Sequence, residues 1–360
     1  MKKVLFVFNH PAPYKIRLLN EMAKFLDLTV IFERYKNKDR NKAFYFEHKM
    51  NFKTVKINGI PISKENIISN GVKKHIKHSK YDLIIMNGYS QFAEMNAIDY
   101  LIRKNIPYCL YINGGIIKEK EDLLHRYLKR KYISHSSFYL SPDERSNEYL
   151  TFYGADKNKI YNYPYSTIYK DEIARKLLTP EEITVARNNI NITAKEVYIS
   201  AGQLIKRKNY LTLTKCWPKD QNKLLLIAGV GKEEKLIRKY LRQNSIENVK
   251  LLGFLSRKEL FSYYQISDAF IFPSNEDIYG HVINEAMSQG LPVISLPNVN
   301  AAHKLIHNGV NGYIISKLDK DTLLEALNDV ILLDKNESIK EAKKNTIEEM
   351  VKVHKKILED

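Results

Sequence analysis

Two doubly wound α/β domains, each built on a parallel sheet, are the fold class that this 360-residue sequence predicts. Three observations predict it. Short, continuously apolar runs alternate with longer amphipathic ones, the alternation falls into two series, and a turn-rich aromatic stretch, YNYPYSTIYKDE (161–172), separates them. Strands that are apolar throughout, rather than at every second residue, belong to sheets covered on both faces by helices. The length suits two cores, and 44% hydrophobic with 28% charged residues is the balance of a globular chain.

In the first series the strands are VLFVF (4–8), LTVIFE (28–33), LIIMN (83–87), YCLYIN (108–113) and FYLS (138–141). Helical periodicity falls on 14–26, 91–104 and 121–133. A helix over 173–191 opens the second series, after a linker near 164–170. Its strands are VYISAG (197–202), LLLIAG (224–229), VKLLGF (249–254), AFIFPS (269–274), PVISL (292–296) and GYII (312–315). Helices alternate with them at 232–243, 256–265, 280–289 and 321–333. The last 20 residues form one more amphipathic helix. The expected divisions are therefore 1–166, 167–340 and 341–360.

The opening, MKKVLFVFNHPAP, carries an apolar run only from Val4 to Phe8 and no small-residue cleavage site, so it reads as a strand rather than a signal peptide. No stretch reaches 18 uncharged apolar residues, and no membrane span is expected. Net charge is +17 but uneven: residues 1–166 hold 29 Lys+Arg against 16 Asp+Glu, and the other 194 hold 29 against 25. A basic first half suits an anionic membrane surface, a phosphorylated substrate or nucleic acid. Its clusters are RYKNKDRNK (34–42), KKHIKHSK (73–80) and RYLKRK (126–131). Aromatics do not interleave with these in a recognition motif, so nucleic acid is not the expected partner. Cys109 and Cys216 read as buried, reduced thiols, and no Cys/His pair has metal-ligand spacing. The one D-x-D, Asp319 to Asp321, precedes a helix and reads as its cap rather than a metal site.

Most of the chemistry lies in EDIYGHVINEAMSQGLPVIS (276–295). A helix starting near Gly280 presents free N–H groups and a partial positive charge, which suit a diphosphate. Gly280 lets phosphate approach the backbone. Side chains tilt toward a helix N-terminus, so Glu285 leans toward that ligand, where it suits sugar hydroxyls rather than phosphate. The plainer alternative is that Glu276 and Asp277 only cap the helix.

These residues resemble the signature of family 4 retaining glycosyltransferases of the GT-B fold. The signature is an acid, seven residues containing an aromatic–Gly pair, then Glu-Ala-Met; Asp277, Tyr279–Gly280, Glu285, Ala286 and Met287 match it. The resemblance implies two Rossmann-like domains facing a cleft, the last helix returning to the first domain. It implies that Asp277, or Glu276 one residue earlier, contacts the donor hexose, and that Glu285 holds the ribose. The amides of Ile278, Tyr279, Gly280, His281 and Val282 would bind phosphate. SAGQLIKRKNY (200–210) is similar to the segment in which an Arg and a Lys clamp the diphosphate. Lys208 matches the Lys; Gln203 stands at the Arg position, and Lys206 or Arg207 supplies the missing charge. IAGVGKE (227–233) brings Gly229, with Val230 where the family usually has an acid. LLGFLSRKEL (251–260) sets Phe254 and Leu255 against the nucleotide base.

In the first half, HPAPYKIRLLNEMAK (10–24) is like the family's acceptor-side opening, stiffened here by Pro11 and Pro13. It directs Tyr14, Lys15 and Arg17 at donor phosphate or acceptor. Asn113-Gly114-Gly115 forms a flexible turn that helps close the cleft, where several relatives carry a His. His10, His125 and His281 are the histidines considered for it. The resulting expectation is a metal-independent, retaining hexosyltransferase without cofactor. Its donor is a UDP- or GDP-linked sugar and its acceptor a lipid-linked glycan of a cell-surface polysaccharide or glycoconjugate. Lys208, Asp277, Glu276 and Glu285 carry the reaction, in the cytoplasm and peripherally on the inner membrane face. The alternatives are a sugar-nucleotide epimerase or phosphorylase on the same fold, or a non-catalytic partner subunit.

Overall fold

The apolar runs form the centres of two parallel sheets. A computed structural model describes residues 1–34, 49–62, 67–118 and 120–359; most of the basic stretch 34–42 lies outside them. The strands in chain order are β1 Lys3–Phe8, β2 Asp27–Phe32, β3 Lys53–Lys56, β4 Ile60–Pro61, β5 Ile67–Ile68, β6 Leu83–Met86, β7 Cys109–Tyr111, β8 Phe138–Ser141 and β9 Ile160–Asn162. They continue as β10 Glu196–Ala201, β11 Lys223–Ala228, β12 Val249–Gly253, β13 Ala269–Phe272, β14 Val293–Ser295 and β15 Gly312–Ile314. The chain divides into two units, Met1–Tyr165 with the C-terminal helix Ile347–Glu359, and Ser166–Thr346.

In the first unit the order is β3-β2-β1-β6-β7-β8-β9, and in the second β12-β11-β10-β13-β14-β15, with every neighbouring pair parallel. Each is doubly wound: the chain moves outward one way from β1 or β10, then crosses back to start at β6 or β13. β1, β2 and β10 are buried at every residue past the first, and β11 throughout. That burial explains why their sequences do not alternate. Helices cover the faces with residues such as Ile98 and Leu101, or Leu323 and Leu327.

Several elements were hidden from the sequence. β3 is the polar edge strand KTVK, and β9 is a half-exposed IYN. The helix Gly71–His78 buries only Val72 and Ile76 among lysines and histidines. The expected helix 173–191 shrinks to Pro180–Asn188, because Pro180 sits at its first turn with Thr179 and Glu182 closing a capping box. The single helix expected over 341–360 is two, Lys335–Lys344 and Ile347–Glu359. They break where the Asn345 side chain turns back on Glu341.

The returning helix is fixed to the first unit by packing on Pro13–Met22 and by the Lys2 ammonium, which donates to the Leu358 carbonyl at 2.9 Å. Its His354 is fully buried, with ring centroids 5.7 Å from Tyr111 and 5.0 Å from Tyr163. Burial pulls its pKa down to about 4. The neutral ring's contribution is complete above the unfolded value of about 6.5 and is lost as pH falls toward 4. A His354→Leu chain is therefore expected to lose less melting temperature between pH 7 and pH 4.5 than the wild type. Parallel losses in both would contradict the assignment.

Candidate functional site

Doubly wound sheets bind ligands beyond the carboxyl ends of the strands where the winding reverses. In the second unit that place lies between β10 and β13. The loop after β10 makes one tight turn, Lys206–Lys208, before Asn209 at φ +63° starts the helix Tyr210–Cys216. The loop after β13 runs from Pro273 to Gly280 and starts the helix His281–Met287.

Hydrogen bonds stitch the two loops together. The Asn275 amide donates to the Arg207 carbonyl at 2.9 Å, and the Asn209 side chain to that of Asn275 at 2.9 Å. Arg207 Nη1 donates to the Glu276 carbonyl at 3.2 Å. At the centre the Lys208 ammonium pairs with Asp277 Oδ2 and lies 4.5 Å above the Phe272 ring. Lys208 is buried, and Lys206 and Arg207 just before it are exposed. Burial, partly offset by Asp277, holds the Lys208 pKa below its ordinary value. Asp277 also receives the Tyr279 amide at 3.2 Å, while its backbone bridges Val299.

Of the two acids expected at the hexose, Asp277 is thus engaged by Lys208 and the Glu276 side chain is exposed. Gly280 takes φ +104°, and a Cβ there would stand 2.8 Å from Val299 Cγ1. Only glycine turns the chain into the helix at this point. Tyr279 is buried with its ring 4.9 Å from that of His281, Val282 is half-buried, and Ile278 is exposed. Gln203 is exposed on the β10 loop, and Phe254 and Leu255 follow β12 as exposed and half-buried residues.

Gly229 has a structural part. Its amide donates to the Gly253 carbonyl at 2.7 Å, and a Cβ would fall 1.8 Å from the Gly202 carbonyl oxygen. It lets the loops after β10 and β11 touch backbone to backbone. Gly229→Ala is expected to destabilise this unit by roughly 3 kcal/mol or more, since backbone displacement adds to strain of about 1–3 kcal/mol at its φ. An unchanged denaturant midpoint would contradict this.

Glu285 does not stand alone. Its Oε1 accepts from Arg257 Nη1 and from the Thr167 hydroxyl, both at 2.8 Å. Arg257 also donates through Nε to Glu172 at 2.8 Å and through Nη2 to the Thr167 carbonyl at 3.2 Å. Burial opposes its charge, but Glu285 and Glu172 outweigh that and raise its pKa. Sequence reasoning passed over Arg257, Thr167 and Glu172. Arg257 stood within a quoted motif, and its spacing from Glu285 carries no local signal.

Asn113, Gly114 and Gly115 lie in the first unit, beyond β7. Gly115 is buried against the Tyr149 ring, so the turn is packed rather than loose. Asn113 and Asn87 exchange bonds of 3.3 Å, and Lys15 donates to Asn9 at 2.9 Å and to Asn87 at 3.3 Å. Nearby, burial and then the Glu94 charge lift Glu33 to about 9, while burial lifts Glu94 to about 7. His125 is exposed beside Asp122. Asp319 caps its helix by accepting the Thr322 amide. Among the described residues no group of three His, Cys, Asp or Glu gathers as a metal site.

Two doubly wound, parallel-sheet units define the GT-B class of glycosyltransferase fold. Residues 182–349 match the family described as glycosyl transferases group 1. The chain is 25% identical over 317 residues to an uncharacterized glycosyltransferase of Methanocaldococcus jannaschii, covering 76% of this chain and 85% of that one. It is 30% identical over 146 residues to the capsular polysaccharide biosynthesis glycosyltransferase CapM of Staphylococcus aureus, covering 39% and 37%. Among solved structures, HepE of Anabaena in complex with UDP and glucose superposes with a TM-score of 0.75 at 17% identity, covering 100% of this chain and 99% of that one.

Proposed function

We propose that this glycosyltransferase is a retaining enzyme of family 4 that moves a hexose from a UDP- or GDP-linked sugar to a glycan acceptor. The observation that carries the reading is Lys208, a buried cation paired to Asp277 beside the start of a helix, at the switch point of its sheet. Breaking the bond between the sugar's anomeric carbon and the diphosphate leaves the electron pair on phosphate oxygen. A fixed, water-poor cation stabilises that charge most at the transition state. Lys208 supplies it, with Lys206 or Arg207 closing the side that Gln203 leaves uncharged. Glu285, oriented by Arg257 and Thr167, receives ribose hydroxyls. The acceptor hydroxyl attacks from the face that the diphosphate leaves and gives its proton to the departing phosphate oxygen, so configuration is kept.

The complex of HepE with UDP and glucose and the capsular role in CapM's name support the donor class and a polysaccharide or glycoconjugate product. No helix among the described residues is long and apolar enough to cross a membrane. The acceptor is read as lipid-linked, with the basic first unit held on the anionic cytoplasmic face at about 1 kcal/mol per Lys or Arg near the surface. The reaction is read as metal-independent, its cations being side chains.

The test is product analysis with UDP- and GDP-sugars in excess EDTA. Release of the nucleoside diphosphate with the anomeric configuration retained by proton NMR is expected. Activity abolished by EDTA and restored by magnesium or manganese would overturn the metal-independent reading, and an inverted product the retaining one. A new nucleotide sugar formed without acceptor would favour the epimerase alternative.

A further inference from the structure

Parallel strands fix where the following helices begin. In the first unit the helices Gly71–His78, Phe92–Arg103 and Leu123–Ser134 follow β5, β6 and β7, and they pack as neighbours, first on second and second on third. An ion pair of 2.6 Å between Lys131 and Asp99 ties the last two. Because β6 and β7 run parallel, the N-termini of Phe92–Arg103 and Leu123–Ser134 share one edge of the unit, at the strands' carboxyl ends. The hairpin β4–β5 packs on the middle helix.

Large apolar side chains lie open along this group. Leu123 is 81% exposed, Leu124 63% and Tyr127 62%, all in the first turns of their helix, and Phe92 opens the neighbouring helix at 49%. Ile60 and Ile68 of the hairpin are exposed as well. The helix carrying Leu123 buries Tyr132 and Ile133 in the core. Its exposed residues are thus a second apolar surface on a well-anchored element.

The charge around them is positive. Lys118, Lys120, Arg126 and Arg130 are exposed beside the leucines, and Lys74 on the first helix. Of the acids in this stretch, Asp122 receives the amides of Leu124 and His125 and Glu121 pairs with Lys129, while Glu119 lies outside the described residues. Apolar side chains set among an excess of cations, six Lys and Arg against three acids over 118–131, match the interfacial zone of a bilayer that contains anionic lipid. A second copy would bring a like-charged surface to the same contact.

We propose that this edge is a lipid-docking surface. Leu123, Leu124, Tyr127 and Phe92 enter the headgroup–acyl boundary, and the flanking Lys and Arg side chains lie among anionic headgroups. The inference rests on the proposed function only in its use, which is to hold the first unit where a lipid-linked acceptor resides. The polar cluster of Asn9, Lys15, Asn87 and Asn113 stands at the same carboxyl ends of the strands.

The test is co-sedimentation of the full chain with vesicles of mixed phosphatidylglycerol and phosphatidylcholine, against pure phosphatidylcholine. Binding is expected to need the anionic lipid and to weaken, without vanishing, between about 50 and about 500 mM salt. The neutral variant Leu123→Ser/Leu124→Ser/Tyr127→Ser is expected to lose roughly tenfold or more at the higher salt, while Arg126→Gln/Arg130→Gln loses mainly at the lower. A single Leu124→Trp reporter is expected to blue-shift only with anionic vesicles. Stabilisation by nucleotide sugar is expected to survive in all of these variants, so a failed donor site and a failed docking surface give different results. Equal binding by the triple-serine variant, no blue shift, or no vesicle binding at all would overturn the proposal. So would a dimer in sedimentation that the serine substitutions abolish, since a second copy would then cover the face.

Discussion

Lys208→Ala is expected to lower the transfer rate roughly a hundred- to thousandfold, the cost of removing one fixed charge from a developing anion, while the chain stays folded. The structure gives the reason for so large an effect. Lys208 is buried, its ammonium is held by Asp277 and lies over Phe272, whereas Lys206 and Arg207 are exposed and Arg207 reaches Asp277 only at 4.0 Å. Lys206→Ala and Arg207→Ala should each cost less than Lys208→Ala and more than Gln203→Ala. Asp277 sharpens the prediction through pH. Burial already holds the Lys208 pKa below its ordinary value, and Asp277 opposes that fall. Catalysis needs the charged form, so activity fails on the alkaline side as the ammonium deprotonates. Asp277→Asn removes the opposing charge, and the alkaline limb of kcat should move to lower pH. A limb that stays in place, or a Lys208→Ala enzyme with unchanged kcat, would show that this cation does not serve the departing group.

Glu285→Gln is expected to weaken donor binding by roughly ten- to a hundredfold, the range for a hydrogen bond to a charged group. Arg257 should be coupled to it. The guanidinium forks between Glu285 and Glu172 with both bonds at 2.8 Å, so Arg257→Ala releases the carboxylate proposed to receive the ribose. Arg257→Lys keeps the charge but loses the fork. Donor dissociation constants for the single and double variants give the interaction energy. Effects that overlap, so that the double variant is little worse than Glu285→Gln, are expected; strict additivity would mean that Arg257 stabilises the unit without orienting Glu285. Arg257→Ala should also lower the melting temperature, because it leaves two half-buried carboxylates without their partner.

The central strands were legible because parallel sheets demand continuous burial, and Val4–Phe8 or Leu224–Ala228 can be little else. The helix at Gly280 was legible for a local reason as well, since acid, glycine and helix lie within ten residues. Partnerships were not. Lys208 and Asp277 are 69 residues apart and meet only because β10 and β13 are neighbours across the crossover. The same holds for Arg257 and Glu285, 28 residues apart, and for Glu172 and Arg257, 85 apart. The close approach of Gly229 to Gly202 is likewise a contact that no spacing reveals. The exposed Leu123 and Leu124 were read as part of an ordinary amphipathic helix, because periodicity shows which residues share a face but not whether anything covers it.

The central claim is that the second unit's switch point binds a nucleotide diphosphate sugar through Lys208. Isothermal titration of the full chain with UDP- and GDP-sugars tests it most directly. Saturable binding of one of them at one site per chain is expected, weakened in both Lys208→Ala and Glu285→Gln. No saturable binding by any of these donors, or equal affinity in the Lys208→Ala chain, would contradict it.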